Sequence, residues 1–370
     1  MPGKLRRIIT SIVMSIFIGI SASNAQILQD SVSMKLIKKN IDCIYNLEFE
    51  NARELNKKIL KSYPEHPVVY LLKALSTYWK NYPMLYTNPA RISLEEDLRH
   101  CIRLSERNRN TTYKAEYLLS NLCARGLLIK FYDDNNLVMK VIPLAISTYK
   151  YMRQTFLYAS ECTDLYYYTG VYNFYRESYP EVYPAYKPLV LLFPAGDMKS
   201  GLKQLNTSAI NAVVLRGESY FLLTMIYLNF ENKYQEALHY SRPLHEMYPD
   251  NVLYFAQYLK NLLLLKKYDE AEKLIIASLK ETENRYFQAQ LNIFKGILLE
   301  KKYHNNVLAQ QYYNSGISRI SPFGTYGNEY IAYAYFGLSR ISYSINDMTN
   351  GKKFREKASK LGDYKKMTFD

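Results

Sequence analysis

Apolar residues recur along this chain at steps of three and four, the spacing that lines one face of a helix. The clearest stretch is Tyr234 to Asn251. There Tyr234, Ala237, Leu238, Ser241 and Leu244 share a face, and Tyr248-Pro249-Asp250-Asn251 closes it. Tyr268, Ala271, Leu274, Ile275 and Ser278 repeat the pattern, with Ala271 thirty-four residues after Ala237. An aromatic followed three positions on by a small residue describes one helix crossing another closely. Ala52 precedes Pro64 by twelve residues, as Ala237 precedes Pro249, so an early unit carries the same pattern.

Taken in order, the pattern predicts a helix capped by Asp30-Ser31 and running to about Tyr45, with a partner opening at Glu48 to Ala52 and ending at Tyr63-Pro64. Val68 to Tyr82 is predicted as the next helix, with Leu71, Leu72, Leu75 and Trp79 on one side. Pro83 and Pro89 bound a loop. The spacing of Ser93 and Glu96 predicts a capping box opening a helix to about Glu106. Helices are expected from Thr111 or Thr112 to Tyr132, from the Asn135-Asn136 turn to about Phe156, and from Ser160 to Ser178. Pro180, Pro184, Pro188 and Pro194 interrupt the pattern, and Gly196-Asp197 caps a short helix through Leu205. From Ala212 four pairs follow at about 213–248, 251–282, 286–320 and 328–361, with small residues such as Gly296, Ala309, Gly316, Gly337, Gly351 and Ala358 where helices cross.

These features resemble the tetratricopeptide repeat, a helix-turn-helix unit. The resemblance implies an all-α, right-handed superhelical solenoid. At roughly 35 to 45 residues per unit the chain holds about eight antiparallel helix pairs. The expected organisation is a signal peptide at 1–25, N-terminal helical repeats at 26–179, a Pro-rich insert with a short helix at 180–211, and C-terminal repeats at 212–370. The run from the prolines through Gly196-Asp197, Gly201-Leu202 and Leu205 to Gly217-Glu218-Ser219-Tyr220 is loosely similar to the central region of the Iml2-like group of eukaryotic outer-membrane tetratricopeptide proteins. That likeness covers some seventy residues and implies only a helical repeat protein with a non-repeat insert.

Composition sharpens the compartment. Lys4, Arg6 and Arg7 precede an apolar run from Ile8 to Ile20, and Ser23-Asn24-Ala25 is a small-x-small ending before Gln26. This is the layout of a secretory signal cleaved after Ala25. The run is short for a membrane span, and no cysteine follows the cleavage site to accept lipid. We therefore expect export, most simply to the periplasm, with secretion or outer-membrane association as variants, and no integral membrane segment afterwards. Asp30-Ser31-Val32 is similar to the O-glycosylation sequon of the Bacteroidota and serves equally as a helix cap. The formal charge of +14 becomes 14 − 3 = +11 without Lys4, Arg6 and Arg7. That excess favours acidic partners such as anionic lipid, wall polymer or an acidic protein surface, and export argues against nucleic acid. Lys266-Lys267 and Lys301-Lys302 are read as last-turn cations facing negative helix ends. Cys43, Cys101, Cys123 and Cys162 contain no Cys-x-x-Cys pair and are expected to be free, buried thiols.

No reactive constellation emerges. The five histidines form no His-Glu-x-x-His, and His239 and His245 lie on different faces of a helix interrupted by Pro243. Nucleophile elbows, phosphate loops and dinucleotide fingerprints are missing. The expectation is a non-catalytic scaffold or adaptor that binds a protein partner, without cofactor or metal and of undetermined oligomeric state. A glycan-binding helical protein of a polysaccharide-uptake system is the alternative, motivated by 38 tyrosines. Tyr168, Tyr172, Tyr175 and Tyr179, at steps of four, three and four, form a candidate stripe for stacking sugars or for core packing. The concave positions of the C-terminal units are Leu222, Ile226, Ala256, Lys260, Ile293, Ile297, Ala334 and Leu338. Seven of the eight are apolar, so a cover is required, and Leu189 to Phe193 is the expected plug.

Overall fold

The computed structural model describes residues 27, 30–108, 114–182, 187, 193–361 and 369, and among these it is all-α without strands. The helices are α1 Ser31–Tyr45, α2 Phe49–Ser62, α3 Pro67–Lys80, α4 Arg91–Arg107, α5 Lys114–Asp134, α6 Val138–Tyr158, α7 Leu165–Val182 and α8 Met198–Asn211. There follow α9 Arg216–Asn229, α10 Tyr234–Met247, α11 Val252–Leu264, α12 Tyr268–Glu281, α13 Arg285–Lys301 and α14 Asn306–Ile320. A 3-10 helix, Ser321–Gly327, leads to α15 Asn328–Ser344 and α16 Met348–Leu361. The expected signal sequence at 1–25 lies outside the described residues. No helix among them is long and apolar enough to cross a membrane.

Sequence neighbours pack in pairs, and the turn inside the pair recurs. Leu47, Asn136, Asn232, Lys266, His304 and Asn346 all take left-handed backbone, φ between 53° and 61°, between the two helices of a pair. The amide three places beyond the last helical residue reaches back to a carbonyl five residues earlier, as Glu48 does to Cys43 (2.8 Å), Lys267 to Leu262 (2.9 Å) and Asp347 to Ser342 (2.9 Å). These bonds satisfy carbonyls that the helix end leaves open. Lys266 is therefore the turn residue itself rather than a last-turn cation. Lys302 caps α13, and its ammonium reaches Asp269 and Glu272 on α12, each at 2.6 Å, tying adjacent pairs together.

Side-chain caps explain several starts. Asp30 accepts from the Ser33 amide, Asp197 from those of Lys199 and Ser200, Asn251 from Tyr254 and Asn284 from Phe287. The capping box at Ser93 does not form, because α4 begins at Arg91, one residue after Ala90, whose amide donates to Asn88 Oδ1 (2.9 Å). Ser93 thus lies inside the helix and reaches Asp97 (3.4 Å) instead. Likewise α7 starts at Leu165, later than Ser160, and continues through Pro180 to Val182.

Close crossings fall on glycine. A Cβ on Gly337 would come within 2.3 Å of the Tyr313 ring, and one on Gly296 within 2.7 Å. The buried Tyr313 hydroxyl donates to Glu300 Oε2 (2.6 Å), which with its sister oxygen also takes Arg340 (2.9 and 2.6 Å). One ring thus fills the crossing of α13, α14 and α15 and ends on an ion pair.

First helices of successive pairs touch in two rows, α1–α3–α5 and α9–α11–α13–α15. The chain then closes on itself, because the C-terminal ends of α1 and α3 meet the N-terminal ends of α9, α11 and α13. Tyr248 donates to Asp42 (2.9 Å), Asn251 to the Tyr45 carbonyl (3.2 Å) and Asn284 to the Tyr82 carbonyl (3.3 Å). The Tyr326 hydroxyl reaches the Met84 carbonyl (3.1 Å). Edge-on rings seal the seam, with Trp79 against Tyr254 (5.7 Å) and Tyr82 against Tyr286 (6.1 Å). Such ring pairs add about 0.5–1.5 kcal/mol each beyond the area they bury. One buried cluster accordingly contains Ile41 and Trp79 together with Val214, Tyr248 and Tyr254, so it spans the boundaries read from the sequence.

Candidate functional site: an aromatic chamber

Where the two rows of first helices meet, they enclose a cavity of about 290 Å³. Each wall comes from a different helix: Tyr45 from α1, Trp79 from α3, Gly126 from α5, Tyr168 from α7, Leu222 from α9 and Tyr254 from α11. The helical step that buries Leu71, Leu75 and Tyr78 on α3 also points Trp79 inward. Gly126 leaves room, since a Cβ there would meet only the Tyr168 hydroxyl, at 3.9 Å.

The polar content is small. Glu218 lines the chamber, and the Tyr45 hydroxyl donates to its Oε1. Its Oε2 is enclosed without a hydrogen-bond partner. Burial, opposed only by a smaller backbone hydrogen bond, pushes the carboxyl up to about 8, so it holds its proton near neutrality. Lys130 also lines the cavity, with its ammonium 2.9 Å from Asp134. Cys123 is on the wall, but burial pushes its thiol up to about 12, away from the reactive thiolate. All four cysteines are free, and Cys43, Cys101 and Cys123 are buried. A small, aromatic-walled cavity with one convergent carboxyl is suited to holding an apolar group. It offers no nucleophile poised beside a base.

The residues singled out in the sequence are distributed as follows. Leu222 is partly exposed and lines the chamber. Ile226 packs into a cluster with Phe174, Leu205 and Ala209. Ile293 faces Gly316 on the second helix of its own pair. Lys260 is fully buried and pairs with Glu329 on α15 (2.8 Å). Ala256, Ile297, Ala334 and Leu338 are buried in the array core. The tyrosine stripe divides along its helix. Tyr168 is buried on the chamber wall, the Tyr172 hydroxyl donates to the Pro194 carbonyl (2.6 Å), Tyr175 packs edge-on to Phe230, and Tyr179 lies at the surface. Of the expected plug, Leu189 to Leu192 lie outside the described residues. Phe193 packs edge-on to Tyr149 of α6, 4.5 Å between centroids. His245 stacks on Phe255 and Tyr258, and burial lowers its pKa. Among the described residues no group of three or more His, Cys, Asp or Glu is placed to hold a metal.

Sequence reasoning missed Tyr45, Gly126 and Tyr254. Their signal is the long-range closure, which brings residues more than 170 positions apart together and leaves no local periodicity to read. The chain matches no family model and no curated protein. What the fold and site define is therefore a class: an all-α protein of packed helix pairs around an aromatic chamber.

Proposed function

We propose that this chain is an exported, non-catalytic scaffold of the tetratricopeptide type, a right-handed solenoid of about eight helix pairs. In this reading it anchors an apolar segment of a partner protein in the Trp79 chamber. The recurrent left-handed turn and the rows of touching first helices support the repeat architecture. The observation that carries the function is the chamber itself, where rings from five helices converge on a single protonated carboxyl. A sugar would need several hydrogen-bonding groups in its site, and the chamber supplies few. Most inward-facing positions of the C-terminal array, among them Ala256, Ile297, Ala334 and Leu338, are buried within the array itself, so the chamber replaces an open groove as the place of attachment.

A photo-activated cross-linker at Leu222 tests this in cells. The expected product is a discrete protein adduct that disappears when Gly126→Phe fills the chamber. A glycan adduct, or a protein adduct indifferent to Gly126→Phe, contradicts the reading.

A further inference from the structure

Helix α6 combines an apolar sequence with very little burial. Of its 21 residues only Thr148 and Thr155 are buried, although its sequence is strongly apolar. Met139 is 85% exposed, Ile146 71% and Leu157 71%, with Ile142 and Phe156 also in solvent. Residues 137–160 contain no Asp or Glu, while Lys140, Lys150 and Arg153 are all exposed. At 100° per residue, Met139, Ile142, Ile146, Lys150, Arg153 and Leu157 share one side, a ridge roughly 27 Å long at helical rise. An apolar ridge interleaved with cations and free of acids is the composition of a helix lying in a lipid headgroup layer, where long cationic side chains reach out to phosphate.

A second feature adjoins it. Between α4, α5 and α6 opens a cavity of about 460 Å³ lined by Arg99, Arg103, Arg125 and Lys140, with Pro143 and Leu144 of α6 on its edge. Arg125 is neutralised by Glu106 (2.8 Å), and Lys140 lies 3.8 Å from Glu95 while donating to the Tyr86 hydroxyl (2.7 Å). Among the described residues Arg99 bonds only the neutral Tyr132 hydroxyl (3.1 Å), and Arg103 only the His100 ring nitrogen (3.3 Å). Four cations against two carboxylates leave a net excess of two. The excess sits on exposed guanidiniums that make no ion pair among the described residues.

We propose that α6 docks this protein on an anionic phospholipid surface. Its ridge enters the headgroup layer, and the Arg99–Arg103 cavity receives a lipid phosphate. The ridge is a convex single helix rather than a groove, which suits a fluid surface better than a rigid partner. The missing acids match a negatively charged plane. This surface lies on helices α4 to α6, its exposed ridge outside the chamber, and its role does not depend on the chamber's.

The test is co-sedimentation of the full chain with phosphatidylcholine vesicles, with and without phosphatidylglycerol. Binding is expected only with phosphatidylglycerol, weakening as salt rises. Ile142→Glu with Ile146→Glu should lower it about tenfold or more, with an unchanged melting temperature. Arg99→Gln and Arg103→Gln should lower it about fivefold each. Absence of sedimentation, or sedimentation indifferent to both sets of variants, overturns the proposal. So does saturable binding of inorganic phosphate by Arg99 and Arg103 without vesicle binding, which would make the cavity a free-anion site. A dimer that dissociates on Ile146→Glu assigns the ridge to a second copy, and an Ile146→Cys thiol inert to maleimide before vesicles are added shows the ridge already covered. Either result also overturns it.

Discussion

The C-terminal array and helix α6 are written in the same hydrophobic period, and the fold treats them in opposite ways. In α13 the apolar positions Leu291, Ile293, Phe294 and Ile297 are all fully buried. In α6 Met139, Ile142 and Ile146 stand in solvent. Periodicity identifies a helix face that wants a partner, and it does not say whether the partner is the next helix or something outside the chain. The distinction lies in what accompanies the period. The array places glycine opposite large rings, as at Gly337 and Tyr313, and pairs its charges between helices, as Arg340 does with Glu300. The ridge of α6 has no glycine and no acid on it.

Gly337→Leu should break the array side most severely. Its Cβ would fall 2.3 Å from a ring that Glu300 and Arg340 hold in place, and overpacking of this kind costs about 3 kcal/mol or more. Urea unfolding should show the loss, whereas Ile146→Glu on the other side should stay within about 0.5 kcal/mol of the parent.

Glu218→Gln gives the next effect, through pH. The folded protein keeps this carboxyl protonated up to about 8, while the unfolded chain releases the proton near its ordinary 4.5. The group's contribution is complete below pH 4.5 and is lost as pH rises toward 8. The glutamine variant should therefore match the parent in acid and exceed it by on the order of 2–4 kcal/mol at about pH 9. Equal stability of the two proteins at alkaline pH would show that the carboxyl is solvated. Smallest is Gly126→Ala, which meets no close neighbour and should raise stability by about 1 kcal/mol through helix propensity, as read by thermal unfolding. A loss there would mean that the chamber wall is packed.

Much of the fold was legible locally. The Asp30 and Asp197 caps, the Asn135-Asn136 turn and the pairs after Ala212 follow from side chains that act within four residues of themselves. Ser93 misled because Asn88, five residues upstream, starts the helix first. Lys266 misled because a left-handed turn position shows no mark in a residue that is not glycine or asparagine. The chamber was the least legible part. Tyr45 and Glu218 are ordinary members of two helical faces until closure of the chain sets one against the other.

The claim at the centre of this account is that the closed chain keeps its apolar binding capacity in the chamber. Trp79 is the sole tryptophan and stands on the chamber wall, so its emission reports occupancy directly. We expect titration with the neutral probe N-phenyl-1-naphthylamine to quench Trp79 by energy transfer, saturably, in the parent and in Ile146→Glu. Gly126→Phe should abolish that quenching while the protein stays folded. Undiminished quenching in folded Gly126→Phe, or its loss in Ile146→Glu alone, would place the capacity on the outer ridge and contradict the account.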